Sequence, residues 1–233
     1  MTTIATNLQA VHDRIRRAAQ SAGRPPSAIA LVAVSKTWPA EKIAEAHACG
    51  QNAFGENYVQ EAMGKITRLA HLPLEWHFIG PIQSNKTRGI AEHFQWVHSV
   101  EREKIAKRLN DARPAGSPPL NVCIQVNVSG QASKSGVAPG DELALARAIL
   151  ALSRLKLRGL MAIPEPTLDT GLQRRRFARL RELKDGLSAA GIALDTLSMG
   201  MSDDLEAAIL EGATMVRVGT AIFGQRKAVK SET

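Results

Sequence analysis

IALVAVSK (residues 29–36) is an apolar, β-branched run that ends in a lysine, Lys36. Near the other end of the chain, MVRVGTAIFG (215–224) is a similar run that delivers Arg217 and then a glycine-threonine turn, Gly219-Thr220. Parallel strands covered on both faces read as continuous hydrophobic runs rather than as alternations. These two segments are therefore expected to be the first and last strands of one buried sheet. Between them a strand-then-helix alternation repeats. Further strands are expected at 53–55, 76–80, 96–100, 121–128, 157–163 and 194–199, separated by helices at 40–48, 58–69, 84–92, 101–110, 140–152, 172–190 and 203–211. Eight strands alternating with helices predict a closed (β/α)8 barrel, an α/β fold.

Ahead of the barrel, Ile4, Leu8, Val11 and Ile15 recur at three- and four-residue steps, which predicts a helix over about 2–22, stopped by Gly23 and Pro25-Pro26. The 233 residues suit one barrel domain, spanning about 29–226 after that helix. RPAGSPP (113–119) is too short a linker to divide the chain into independent units. The first twenty residues carry Asp13 and several arginines where a signal peptide needs an apolar core, so a cytoplasmic protein is expected. Cys49 and Cys123 lie far apart and in no CxxC context; a buried, reduced Cys123 is expected.

The net charge is +8. Its densest basic run, Arg174, Arg175, Arg176, Arg179, Arg181 and Lys184, shares a helix with Phe177, Leu180, Leu183 and Leu187 on another face. A solvated helix face accounts for it better than a phosphate-tracking surface, and with aromatics at 4% there is no stacking platform for nucleic acid. No GxGxxG follows the first strand and no GxxxxGK[ST] occurs, which removes the common nucleotide readings. The six histidines form no HxH or HExxH pattern, so no metal site is expected.

Chemistry in such barrels sits at the C-terminal ends of the strands. Those ends read Ser35-Lys36-Thr37, Gly55-Glu56-Asn57, Gly80-Pro81, His98-Ser99, Asn127-Val128-Ser129, Met161 to Pro164, Ser198 to Ser202 and Gly219-Thr220: small, polar and glycine-rich. Lys36 at the tip of the first strand either caps the sheet toward solvent or points across the mouth, where partial desolvation frees its amine for a Schiff base. Ser202 is expected to cap the helix at 203–211, with Asp203 and Asp204 in its first turn; with Gly200 leaving the backbone open, that end is also an anion site beside Gly219-Thr220. Arg217, two residues before Gly219, needs an acceptor if it lies inside the barrel, and the unprotonated nitrogen of a pyridine ring would serve. His77 and His98 lie in strands and could face the mouth, although a satisfied core histidine is the commoner case.

These residues resemble the YggS/PROSC family of pyridoxal phosphate homeostasis proteins. The match runs through AVSKTWP (33–39), FGENYVQE (54–61), EWHFIGPIQSNK (75–86), WVHSVEREKIA (96–106), NVCIQVNVSGQASKSG (121–136), LRGLMAIP (157–164), LSMGMSDDLEAAI (197–209) and MVRVGTAIFG (215–224), nearly the whole chain. The resemblance implies an alanine racemase N-terminal-domain-like barrel of the fold-type III class. It implies pyridoxal 5′-phosphate on Lys36, with Ser202, Gly219 and Thr220 around the phosphate, Arg217 near the pyridine nitrogen, Asn57 close to the ring, and His77 and Met199 as walls. Lys134 is a family feature; Trp38 stands where the family often has a lysine.

Three functions compete at this stage. The first is a protein that holds, buffers or delivers pyridoxal phosphate, with apo-enzymes as its recipients, as a monomer without its own turnover. The second is a pyridoxal-phosphate-dependent amino-acid racemase, and the third a barrel binding another phosphorylated metabolite. Racemisation needs acid/base groups on both faces of the cofactor. Lys36 is one, but the only tyrosine, Tyr58, follows the second strand and belongs to a different region. An arginine at the ring nitrogen also weakens the electron sink that carbanion chemistry uses. The carrier reading is therefore expected, with no catalytic residue.

Overall fold

The computed structural model describes residues 3–131 and 135–225. Eight parallel strands close into a barrel in sequence order: β1 (Ala30–Val34), β2 (Ala53–Glu56), β3 (Glu75–Phe78), β4 (Trp96–Val100), β5 (Leu120–Gln125), β6 (Leu155–Met161), β7 (Thr196–Ser198) and β8 (Met215–Val218). The two runs quoted first are neighbours across the closure, with Ala30 opposite Met215 and Val32 opposite Arg217. Helix α1 (Ile4–Ser21) precedes the barrel. The connections carry α2 (Ala40–Ala48), α3 (Val59–Arg68), α4 (Thr87–His93), α5 (Glu103–Ala112), α6 (Glu142–Leu150), α7 (Thr170–Ala189) and α8 (Leu205–Leu210), and α9 (Thr220–Phe223) follows β8. No described helix is long and apolar enough to cross a membrane.

Successive strand residues point to opposite faces. Outward side chains such as Leu31, Ala33, Phe54, Phe78, Val97, Ile124, Leu160, Leu197, Met199, Val216 and Val218 pack into the large core under the helices. Inward ones include a second, smaller apolar cluster of Val32, Trp96, Cys123, Met161 and Met215 inside the barrel. The interior is thus a filled core and not a pore. Burial pushes the Cys123 thiol up to about 12, so it stays protonated and inert; it and the exposed Cys49 are both unpaired thiols.

Several boundaries differ from expectation by a few residues, three of them with a local reason. Strand β5 ends at Gln125, because Val126 leaves the ladder for an isolated bridge with Val137. Strand β7 is only three residues long and starts at Thr196. Ser202 does not cap α8: Asp204 is the cap residue, and its carboxylate reaches back to accept from the Met201 amide at 2.6 Å. The basic face of α7 is held by carboxylates, with Arg174 and Arg181 both on the buried Glu211, and Arg176 on Glu165.

Candidate functional site

The C-terminal mouth of the barrel contains a cavity of about 270 Å³. Its lining includes Lys36, Asn57, Ser202, Arg217, Gly219 and Thr220, six of the eight residues expected there. Aliphatic side chains of Val34, Ile79 and Ile163 supply apolar walls, and Trp38, Met201, Asp203 and Gly224 complete it. Two expected wall residues are not among its lining. Met199 points outward into the core beneath the helices, because Ser198 takes the inward position and the side chains alternate; Met201 reaches the cavity instead. His77 is fully buried inside the barrel, where its ring lies parallel to that of Trp96 at 5.5 Å. Lys134 lies outside the described residues.

Lys36 sits just beyond β1 in a turn held on both sides. Thr37 adopts φ 69°, a left-handed conformation that a β-branched residue takes only when its surroundings impose it. Its amide donates to Glu61 Oε1 at 2.5 Å. On the other side, Ser35 donates its hydroxyl to Glu56 Oε1 at 2.6 Å. Lys65, buried although it lies on α3, joins these pieces: its ammonium donates to Ser35 O at 2.8 Å, Glu56 Oε1 at 2.7 Å and Glu61 Oε1 at 2.5 Å. Burial raises the Glu56 carboxyl above the usual carboxylate range, opposed by the charge and hydrogen bond of Lys65. Sequence reading missed this cluster, since a lysine on an amphipathic helix reads as a solvated residue.

Asn57 follows β2, and its side-chain carbonyl is buried with no hydrogen-bond partner among the described residues. A buried acceptor without a donor is uncommon and asks for one from a ligand. The backbone of Gly80, at the end of β3, passes so close that a Cβ there would lie 2.4 Å from Asn57 O, so glycine sets how near Asn57 comes to the mouth.

Arg217 is 3% exposed and donates to Ser198 Oγ at 2.6 Å and to Ala162 O at 2.9 Å. Desolvation lowers its pKa to about 10, which leaves it charged at neutral pH. Two of its five N–H groups are accounted for by these bonds, in a residue that can only donate. The loops after β7 and β8 meet where Ser202 Oγ accepts from the Ala221 amide at 3.4 Å. Gly219 lies tightly on β1: a Cβ there would sit 3.1 Å from Val34 O. Helix α1 braces these loops from outside, Arg14 donating to Ser202 O at 2.8 Å and Asn7 to Ile222 O at 2.8 Å. Trp38 stacks on Phe223 with centroids 6.0 Å apart, joining the turn after β1 to α9.

A lysine amine, a buried guanidinium, an unpartnered amide carbonyl and two glycine- and hydroxyl-bearing loops thus surround an apolar slot. That set suits a small aromatic aldehyde carrying a phosphate. Among the described residues no group of three His, Cys, Asp or Glu could hold a metal ion. Tyr58 is exposed and is not part of the cavity lining.

The family profile described as the alanine racemase N-terminal domain matches residues 6–227. A pyridoxal phosphate homeostasis protein of Pseudomonas aeruginosa is 67% identical over 226 residues, covering 97% of each chain. One from Escherichia coli is 54% identical over 229 residues, covering 97% of this chain and 98% of its own. The structure of PipY from Synechococcus elongatus with PLP bound superposes with a TM-score of 0.82 at 39% identity, covering 95% of this chain and all of PipY.

Proposed function

The chain belongs to the family of pyridoxal phosphate homeostasis proteins, built on the alanine racemase N-terminal domain, and on that premise we propose that it binds pyridoxal 5′-phosphate at the barrel mouth to hold, buffer or deliver it. The observation that carries this reading is the convergence of Lys36, Arg217 and the unpartnered Asn57 carbonyl on one cavity with aliphatic walls. When bound, the cofactor supplies an aldehyde that condenses with an amine and a ring that withdraws electrons. Lys36 provides the amine for the Schiff base, in a turn fixed by Glu61 and Lys65. Val34, Ile79 and Ile163 provide a dry slot for a flat ring. Ser202, Gly219 and Thr220 provide hydroxyls and backbone N–H groups for the phosphate. Arg217, always a donor, would hold the ring nitrogen, which would then have to stay unprotonated.

This arrangement favours holding over turnover. Carbanion chemistry draws on a protonated ring nitrogen, which Arg217 opposes, and two-sided proton transfer needs a second acid/base group that Tyr58 does not supply from its exposed position. The proposal extends to a single-domain, monomeric cytoplasmic protein that hands its cofactor to apo-enzymes and binds neither nucleic acid nor membrane. Titration with pyridoxal phosphate tests it: the protein should turn yellow, and pyridoxal lacking the phosphate should bind at least about tenfold more weakly, since charge-assisted bonds to the dianion are lost. A protein that stays colourless would refute the reading.

A further inference from the structure

Beneath the mouth, four side chains that the cavity does not use link Arg217 to the opposite end of the barrel. Arg217 lies 2.6 Å from Ser198 Oγ, which lies 2.7 Å from His98 Nδ1. His98 Nε2 lies 3.0 Å from His77 Nδ1, and His77 Nε2 lies 2.8 Å from Glu75 Oε1. Arg217, Ser198, His98 and His77 are buried, whereas the Glu75 side chain is 49% exposed at the start of β3. The chain therefore runs from the mouth to the N-terminal rim.

Its two ends fix its direction. A guanidinium can only donate and a carboxylate can only accept. With neutral imidazoles the intervening bonds follow: His77 Nε2–H donates to Glu75, His98 Nε2–H donates to His77 Nδ1, Ser198 Oγ–H donates to His98 Nδ1, and Arg217 donates to Ser198 Oγ. Each link uses one donor and one acceptor, and none is left over. We propose that Glu75, His77, His98 and Ser198 are positioning residues, a one-way hydrogen-bond chain that holds the Arg217 guanidinium against the site of the ring nitrogen. The last phrase rests on the pyridoxal phosphate reading; the chain itself does not.

The surroundings keep both imidazoles neutral. Burial lowers the pKa of His77 against the opposing pull of Glu75, and lowers that of His98 well below the usual histidine value, with repulsion from His77, when that ring is charged, and from Arg217 adding to it. Trp96 stacks on His77 and has the Arg158 guanidinium over its ring, 4.7 Å from the centroid, with Arg158 ion-paired to Asp195. At the upper end, Asp204 and Cys123 are the further titratable groups acting on Arg217. A protonated His98 would have to turn Ser198 into an acceptor from both sides, and Arg217 would then share the Ser198 hydroxyl with a second donor.

The test begins on ¹⁵N-labelled protein without cofactor. Long-range ¹H–¹⁵N spectra should show His77 and His98 as neutral Nε2–H tautomers throughout pH 7.5 to 5.5, and an Nδ1–H on His98, or its protonation within that window, would overturn the chain. In Ser198→Ala the guanidinium protons of Arg217 should exchange with solvent about tenfold faster, as expected for loss of one charge-assisted bond. Glu75→Gln, at the half-exposed far end, should instead mix the His77 tautomers and leave the melting temperature unchanged. Pyridoxal phosphate should then bind Ser198→Ala about tenfold more weakly with a shifted absorption maximum, while inorganic phosphate binds both proteins equally. Unchanged Arg217 exchange in Ser198→Ala would refute the positioning role. A wild type that shows the chain but never binds pyridoxal phosphate would refute the cofactor reading alone.

Discussion

Replacing Lys65 by methionine should be one of the most damaging single changes outside the cavity. The ammonium is 7% exposed and holds Glu56, whose side chain is fully buried, together with Glu61 and the Ser35 carbonyl. Methionine fills similar volume but leaves the Glu56 carboxylate without its compensating charge. Breaking a buried pair in this way costs roughly 3–5 kcal/mol. For a chain of this size, where each kcal/mol shifts Tm by about 2–4 °C, the loss should be about 6–20 °C. Its pH dependence has a definite sign. Without Lys65 the folded Glu56 pKa rises further above its unfolded value, so the folded state binds the extra proton, and stability recovers as pH falls through the raised pKa. Melting curves by circular dichroism at pH 8 and pH 5.5 should therefore show the larger deficit at pH 8. Lys65→Met with Glu56→Gln should recover much of it, since no buried charge remains. Because the same ammonium fixes the turn on either side of Lys36, the single variant should also form its cofactor adduct more slowly. A melting temperature within about 2 °C of wild type at pH 8 would refute the reasoning.

Other outcomes follow from the same structure. Gly80→Ala places a methyl 2.4 Å from Asn57 O and should displace Asn57, weakening pyridoxal phosphate binding in an absorbance titration more than inorganic phosphate binding. Gly219→Val should weaken cofactor affinity more than Thr220→Ser, because its side chain meets Val34 and crowds the phosphate loop. Stability should fall on acidification from pH 7.5 to 5.5: His77 and His98 have depressed pKa values, so the unfolded chain takes up protons first, below about pH 6.5. A histidine that stays neutral in the folded state across this range contributes up to about 1.3 kcal/mol to the loss, and His98→Gln should show a correspondingly shallower fall in Tm. Chiral chromatography after long incubation of the cofactor-loaded protein with L-alanine should detect no D-alanine; turnover that disappears in Lys36→Ala would restore the racemase reading.

The barrel was legible because parallel strands under helices leave long apolar runs, and because their polar tips fall at one rim. Lys36 and Gly219-Thr220 could be singled out from those tips and Arg217 from the last strand, whereas Asn57 was singled out by the family resemblance; all of them line the cavity. What sequence could not resolve was direction. Met199 and Met201 are equally good candidates until the start of β7 fixes which residues of that segment point inward. His77 and His98 are the satisfied core histidines that were the commoner reading, buried inside the barrel and bonded to each other, and it is the wall role implied for His77 by the resemblance that the cavity lining does not include. Ser202 looked like a helix cap; the helix starts later, since Asp204 satisfies the turn by bonding backward. Lys65 and Arg14 carried no signal at all, because a cation on a helix looks the same whether it meets solvent, a buried carboxylate as Lys65 does, or a half-exposed one as Arg14 does.

The central claim is a covalent cofactor site on one lysine. Borohydride reduction of the protein loaded with pyridoxal phosphate, followed by peptide mass mapping, measures it directly. A single pyridoxyl-phosphate adduct on Lys36 is expected, absent from a folded Lys36→Ala variant. An adduct of equal yield on another lysine in that variant, or none in the wild type, would contradict it.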